Sequence, residues 1–202
     1  MLKPKLISIA GIIGVGKTTL ARKLSEKYHA QLILEEYDQN PFLDQQFKGD
    51  HGVALASELF FLMSRTKQLN VTELEKHHIC ISDYVFDKNR LFASLNLDDT
   101  QMATYNQVEK AVINYIAQPD IVIYLHDTVK NCLARIKSRA RGFEQSICPS
   151  WLSKLDHAYQ IFFEKYNKPR LYIDCSKYDV RCDQDVQLII NMINNKDIHL
   201  EY

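Results

Sequence analysis

Charge of one sign is in no excess in this chain. Its 25 Lys and Arg balance 25 Asp and Glu over 202 residues, so there is no surplus of cations to spread along a phosphate backbone, and no nucleic-acid partner is expected. Long apolar runs are missing as well. No stretch approaches the ~20 residues needed to cross a bilayer, and no membrane partner is expected. Lys3 and Lys5 ahead of Leu6 to Val15 resemble a short export signal, but the glycines and the lysine that follow account for the stretch better. The five cysteines, Cys80, Cys132, Cys148, Cys175 and Cys182, form no C-x-x-C pair and stand at no zinc-finger spacing from a histidine. That argues against a disulfide framework and a structural zinc; they read as reduced thiols, and the expected location is the cytoplasm. Glycine is scarce, at six residues, yet three of the six are Gly11, Gly14 and Gly16.

Those glycines belong to Gly11-Ile12-Ile13-Gly14-Val15-Gly16-Lys17-Thr18, which fits G-x-x-x-x-G-K-[ST] at every fixed position. The apolar Leu6 to Ala10 supplies a strand ahead of it, and Thr19 to Tyr28, with Leu20, Ala21, Leu24 and Tyr28 at helical spacing, supplies a helix behind. Such a loop turns successive backbone N–H groups onto phosphate oxygens, and the helix adds its positive end. Lys17 then reaches the β/γ-phosphates, Thr18 ligates Mg²⁺, and Val15 and Thr19 lie within the same cradle.

The pattern continues as alternating strands and helices. Further strands are expected at Gln31 to Leu34, His78 to Ser82, Ile121 to Leu125 and Arg170 to Asp174. Helices are expected from Asn40-Pro41-Phe42-Leu43 to a break at Gly49 to Gly52, at Val53 to Asn70, Asn89 to Leu95 and Asp99 to Ala117, from an Asp127 and Thr128 cap to about Arg139, from a Ser150 cap to Tyr166, and at Val186 to Ile193. Alternation of this kind demands right-handed crossovers. It implies an α/β three-layer sandwich, with a five-stranded parallel sheet carrying helices on both faces, as a single domain over residues 1 to 202. Acids stand at the carboxyl ends of two strands, Glu35 and Glu36 after the second and Asp83 after the third, where open sheets place their ligands. Glu58 and Arg65, two helical turns apart, fall on nearly the same face of one helix. Arg135 and Arg139 share a helix face, and with Lys137 and Arg141 they lead into a loop-like Gly142 to Pro149. An arginine-rich lid at about residues 139 to 149 would stabilise a transferring phosphoryl group and exclude water. No N-K-x-D element suggests a GTPase.

In sum these blocks resemble the deoxyribonucleoside kinases, in particular the short bacterial deoxyadenosine/deoxyguanosine branch. The resemblance is carried by Gly11 to Thr18, by Glu35-Glu36 followed by Asn40-Pro41-Phe42-Leu43, and by Glu58 to Leu62 leading to Arg65 and Gln68. It continues through Ser82-Asp83-Tyr84, Asp87-Lys88 and Leu91-Phe92-Ala93, through Arg135 to Arg141 with Phe143-Glu144-Gln145, and through Trp151-Leu152 to Tyr159.

The resemblance implies transfer of the ATP γ-phosphoryl group, with Mg²⁺, to the 5′-hydroxyl of a deoxyribonucleoside, a purine one by the bacterial likeness. Glu36 is the better match to the family's general base and Glu35 the close alternative. Lys17, Arg135 and Arg139 join it as catalytic candidates, and Arg139 and Arg141 as ATP-phosphate ligands. Asp83 matches a metal-side ligand acting with Thr18; Glu58, Arg65, Asp83, Asp87 and Glu144 match substrate contacts. Two departures stand out. Tyr84 occupies the place of an arginine, with Lys88 and Arg90 as the nearby candidates to replace it, and Glu58 stands where a glutamine usually reads the base. The family also implies a homodimer through helices, for which the long stripes at Val53 to Asn70 and Asp99 to Ala117 are candidates. A thymidylate-type monophosphate kinase and an inactive nucleotide-binding subunit are the competing readings; against the first, Glu35 and Glu36 would repel a phosphorylated acceptor.

Overall fold

A computed structural model describes residues 5 to 195. Among them five strands, β1 (Leu6–Ala10), β2 (Gln31–Ile33), β3 (Cys80–Ser82), β4 (Ile121–His126) and β5 (Arg170–Asp174), form one sheet in the order β2-β3-β1-β4-β5. Every pairing is parallel, with Ile7 opposite both Ile81 and Ile121. All five residues of β1 and the first five of β4 are buried. Strands buried on both faces need helices on both faces, and the chain supplies them as crossovers.

The helices follow in chain order: α1 (Lys17–Tyr28), α2 (Leu43–Phe47), α3 (Ala54–Gln68), α4 (Val71–Leu74), α5 (Lys88–Asn96), α6 (Asp99–Val112), α7 (Val129–Arg139), α8 (Pro149–Glu164) and α9 (Asp183–Asn195). Leu20 and Leu24 of α1, Leu152 and Leu155 of α8 and Ile189 of α9 join the strands in one apolar cluster. A second gathers Leu62 and Leu69, Tyr84, Ala93 and Tyr105 beneath α3, α5 and α6.

Several element ends differ from the sequence expectation for local reasons. The helix expected over Val53 to Asn70 runs as α3 and stops at Gln68; the Asn70 side chain then accepts from the Thr72 N–H and caps the short α4, which the sequence reading did not expect. The one expected over Asp99 to Ala117 ends at Val112, beyond which Ile113–Tyr115 tightens into a 3-10 turn. At its start Asp98 and Gln101 form a reciprocal capping box. Ser150 is not the cap of α8: the helix begins at Pro149, whose fixed φ suits a first turn, and Cys148 precedes it.

The central strand β1 lies between β3 and β4, and its carboxyl end feeds the glycine loop directly into α1. The chain runs outward from β1 on one side and returns to the other, which opens the crevice where a parallel sheet receives its ligand.

Candidate active site

The glycine loop is held so close to its neighbours that side chains are excluded. A Cβ at Gly11 would press on the Leu125 carbonyl oxygen, and one at Gly14 would come within 2.5 Å of the Cys132 carbonyl oxygen. Both residues have positive φ, 137° and 85°, so glycine serves conformation and space together. Lys17, first residue of α1, donates from Nζ to the carbonyl oxygens of Gly11 at 2.9 Å and Ile12 at 2.8 Å. Burial, with the neighbouring Lys88 charge, pushes its ammonium down to about 7.

A cavity of about 300 Å³ opens in front of this loop. Gly14, Gly16, Lys17, Thr18 and Thr19 border one end, Arg139, Arg141 and Glu144 close over it, and Leu43, Phe47, Phe61 and Phe92 form an apolar side. Thr18 Oγ1 donates to Asp83 Oδ2 at 2.5 Å, and Asp83 Oδ1 accepts the Glu35 backbone N–H at 3.0 Å. Burial, reinforced by the Glu35 charge, raises the Asp83 carboxyl.

The middle of the cavity is built on Glu35. Lys88 Nζ donates to its two carboxylate oxygens at 2.8 and 2.6 Å, and Arg65 donates to Oε1 from Nε at 3.0 Å and also from Nη2. Arg65 and Lys88 are both buried, as is Asn89, which accepts from Arg65 Nη1. Burial alone would raise the Glu35 carboxyl, but the Lys88 and Arg65 charges hold it well below the usual carboxylate range. Removing a member of such a cluster leaves an uncompensated buried charge.

Glu36, the first choice for general base, takes a different place: its Oε2 accepts from Ser64 Oγ at 2.7 Å, and it is not part of the cavity wall. One residue along a chain leaving a strand turns the side chain to the other side. Asp87 also stands apart, with Leu91 and Tyr166 in a separate recess, while Lys88 beside it enters the cavity. Tyr84, at the position of the missing arginine, is fully buried and donates from its hydroxyl to Gln68 Oε1 at 2.6 Å. Of the two cations able to replace that arginine, Lys88 binds Glu35, whereas Arg90 is exposed beside Asn106 and Glu109.

The arginines divide in the same way. Arg139 grips Glu144 with two hydrogen bonds of 2.5 Å, and Arg141 reaches the same carboxylate at 3.4 Å while lying over the Tyr37 ring. Arg135 pairs with buried Asp127, donates to the Gly14 carbonyl oxygen at 3.4 Å, and faces a second recess with Val15, Gly16, Thr19 and Cys175 to Arg181.

Glu58 and Arg65, expected on one helix face, are both buried in the cavity wall with Phe61 between them. Sequence reasoning missed Gln46, Phe47 and Asn96 as parts of this site. A signal for Asn96 existed: Lys88, Phe92 and Asn96 recur at intervals of four on α5 and share a face.

The sequence model described as "Deoxynucleoside kinase" matches residues 7–199. The chain is 35% identical over 158 residues to the deoxyguanosine kinase of Bacillus subtilis, covering 77% of this chain and 76% of that protein. It is 30% identical over 198 residues to the deoxyadenosine kinase of Lactobacillus acidophilus, covering 91% of each. Its backbone resembles the solved deoxyadenosine kinase of M. mycoides with products dCMP and dCDP bound, at a TM-score of 0.83 and 27% identity, over 94% of this chain and 99% of the other.

Proposed function

The chain belongs to the deoxynucleoside kinase family, and from that premise we propose that it moves the ATP γ-phosphoryl group onto the 5′-hydroxyl of a purine deoxyribonucleoside, with Glu35 as the proton acceptor. The observation that carries this is one half-buried carboxylate, Glu35, fixed by the buried Arg65 and Lys88, in the same cavity as Lys17 and the Thr18 and Asp83 pair.

Backbone N–H groups of Gly11 to Thr19 and the Lys17 ammonium hold the donor phosphates, and Arg139 and Arg141 add guanidinium groups from the lid at residues 139 to 149. Arg135 lies on the donor side of the loop, in the recess it shares with Val15 and Thr19. Among the described residues no three His, Cys, Asp or Glu side chains cluster as a metal cage. A hydroxyl beside a carboxylate, Thr18 and Asp83, suits Mg²⁺ that arrives on the nucleotide and keeps most of its ligands from phosphate and water. Held there, such an ion would neutralise negative charge on the transferring phosphoryl group.

At the acceptor end Glu35 takes the hydroxyl hydrogen bond and orients the oxygen for in-line attack. So acidic a carboxyl is a weak base in the ground state; it receives the proton late, as the O–P bond forms and the hydroxyl acidifies. Glu144 and Arg65 line the same cavity and are read as contacts to the sugar and base portions. A phosphorylated acceptor fits less well, because the two cations here are already committed to Glu35.

The homodimer remains a proposal, supported by exposed Met63 on α3 and exposed Ile113 and Tyr115 beyond α6. No helix among the described residues is long and apolar enough to cross a membrane. The catalytic reading is tested by Glu35→Gln beside Glu36→Gln in a coupled assay with ATP, Mg²⁺ and natural deoxynucleosides. Loss of turnover in the first with near-normal turnover in the second is expected; the reverse pattern would return the base to Glu36.

A further inference from the structure

At the far end of the cavity from the glycine loop, Glu58 is a buried carboxylate aimed at the space a base would fill. Its Oε1 is fully engaged, accepting Gln46 Nε2 at 2.8 Å and Asn96 Nδ2 at 2.7 Å. The orientation of the Asn96 amide is fixed from behind. Trp151 Nε1, which can only donate, gives its hydrogen to Asn96 Oδ1 at 3.0 Å, and this turns the Asn96 NH₂ toward Glu58. Its Oε2 accepts no hydrogen bond within the described residues, yet it is not sealed away: the buried, partnerless side-chain atoms there are the hydroxyls of Tyr105, Tyr124 and Tyr166.

We propose that Glu58 is the specificity-determining residue for the base, and that through Oε2 it selects 6-oxopurine deoxynucleosides, guanine and hypoxanthine, over adenine and cytosine. The inference rests on the kinase reading above. A carboxylate offers only acceptors. The ring N1–H of guanine or hypoxanthine donates to it, and guanine adds its N2 amino group alongside. Adenine N1 and cytosine N3 are themselves acceptors, so their lone pairs would face the carboxylate across a buried gap. Gln46 and Asn96 border the same space, and the second N–H of each amide, the first being given to Oε1, is the donor assigned to the O6 acceptor.

Burial raises the Glu58 carboxyl, opposed by the Asn96 and Gln46 hydrogen bonds and the Arg65 and Lys88 charges. The two amide donors hold Oε1 as an acceptor, so a proton on Glu58 would sit on Oε2 and make it a donor; it is the ionised carboxylate that offers Oε2 to the ring N1–H. Gln46, Asn96 and Trp151 are positioning residues that keep Oε2 turned to the cavity.

The test is a set of kcat/KM values for deoxyguanosine, deoxyinosine, deoxyadenosine, deoxycytidine and 1-methyl-2′-deoxyguanosine with ATP and Mg²⁺. Deoxyguanosine and deoxyinosine are expected to exceed deoxyadenosine by about 10- to 100-fold, the worth of a hydrogen bond to a charged acceptor, and methylation at N1 is expected to cost a similar factor. Glu58→Gln, which puts an N–H donor where Oε2 stood, is expected to shift the ratio toward deoxyadenosine by at least about tenfold. A wild-type preference for deoxyadenosine, tolerance of N1 methylation, or an unmoved ratio in Glu58→Gln overturns the proposal. Trp151 is the chain's single tryptophan, so its fluorescence reports base binding without turnover. Stronger quenching by deoxyguanosine than by deoxyadenosine supports the assignment to Glu58 even if no nucleoside is phosphorylated, a result that would overturn the kinase reading instead.

Discussion

The two ends of the cavity are made of different material. The phosphate end is backbone: a glycine loop wedged against the Leu125 and Cys132 carbonyls, with Lys17 bonded only to carbonyl oxygens of the loop itself. The acceptor end is side chains: Glu35 between Arg65 and Lys88, and Glu58 between Gln46 and Asn96, drawn from α2, α3 and α5 and the segment after β2. The difference separates function from stability at one end and joins them at the other. Removing the phosphate-side lysine leaves behind neutral carbonyl oxygens, those of Gly11 and Ile12, and no buried cation without its counter-charge. Removing the acceptor-side carboxylate strips the counter-charge from two buried cations, Arg65 and Lys88.

Lys17→Ala should break the comparison first if it is wrong. Turnover is expected to fall by at least about 10³-fold, since a preorganised charge on the transferring group is lost, while the melting temperature stays within a few degrees. A large drop in melting temperature would mean that the phosphate end is structural as well.

Glu35→Gln comes next, with turnover down about 10²- to 10⁴-fold for a lost proton acceptor. Here stability should fall too, by about 3–5 kcal/mol in chemical denaturation, because Arg65 and Lys88 lose their counter-charge. Glu36→Gln is the internal control. It perturbs one hydrogen bond to Ser64, worth about 1 kcal/mol, and turnover should change less than about threefold.

The pH dependence sharpens the same contrast with smaller effects. Lys17 titrates at about 7, so kcat/KM for ATP should decline as pH rises above that value and the ammonium loses its charge. The Glu35 carboxyl is depressed in the folded state relative to an ordinary value of 4.5. Its contribution to stability is therefore fully present above pH 4.5 and lost as pH falls toward and through the folded value. Thermal melts of the wild type below pH 4.5 should fall more steeply than those of Glu35→Gln; parallel curves would remove Glu35 from the ion cluster.

The same division explains what was legible in the sequence. A backbone cradle needs glycine, lysine and threonine at fixed intervals, and the apolar strand and amphipathic helix on either side are local patterns too, so Gly11 to Thr18 could be read directly. The sheet followed from strand and helix alternation, although Asn70 and Pro149 moved element ends by local capping. The acceptor end depends on tertiary pairing. Adjacent Glu35 and Glu36 are equivalent in composition, and what distinguishes them is the direction in which the chain leaves β2, toward Arg65 and Lys88 or toward Ser64. Lys88, four residues beyond Tyr84, reaches Glu35, while Tyr84 turns into the core against Gln68. The Trp151, Asn96 and Glu58 relay joins residues far apart in sequence, and only the recurrence of Lys88, Phe92 and Asn96 on α5 pointed to part of it.

In the proposed reaction Glu35, a half-buried carboxylate bound by two cations, faces an acceptor hydroxyl across from the donor phosphates. The most direct test of this arrangement is product analysis after incubation with ATP, Mg²⁺ and an equimolar mixture of deoxyguanosine and dTMP. dGMP and ADP are expected in equal amounts, with dTMP untouched. Formation of dTDP with deoxyguanosine left intact would contradict that arrangement.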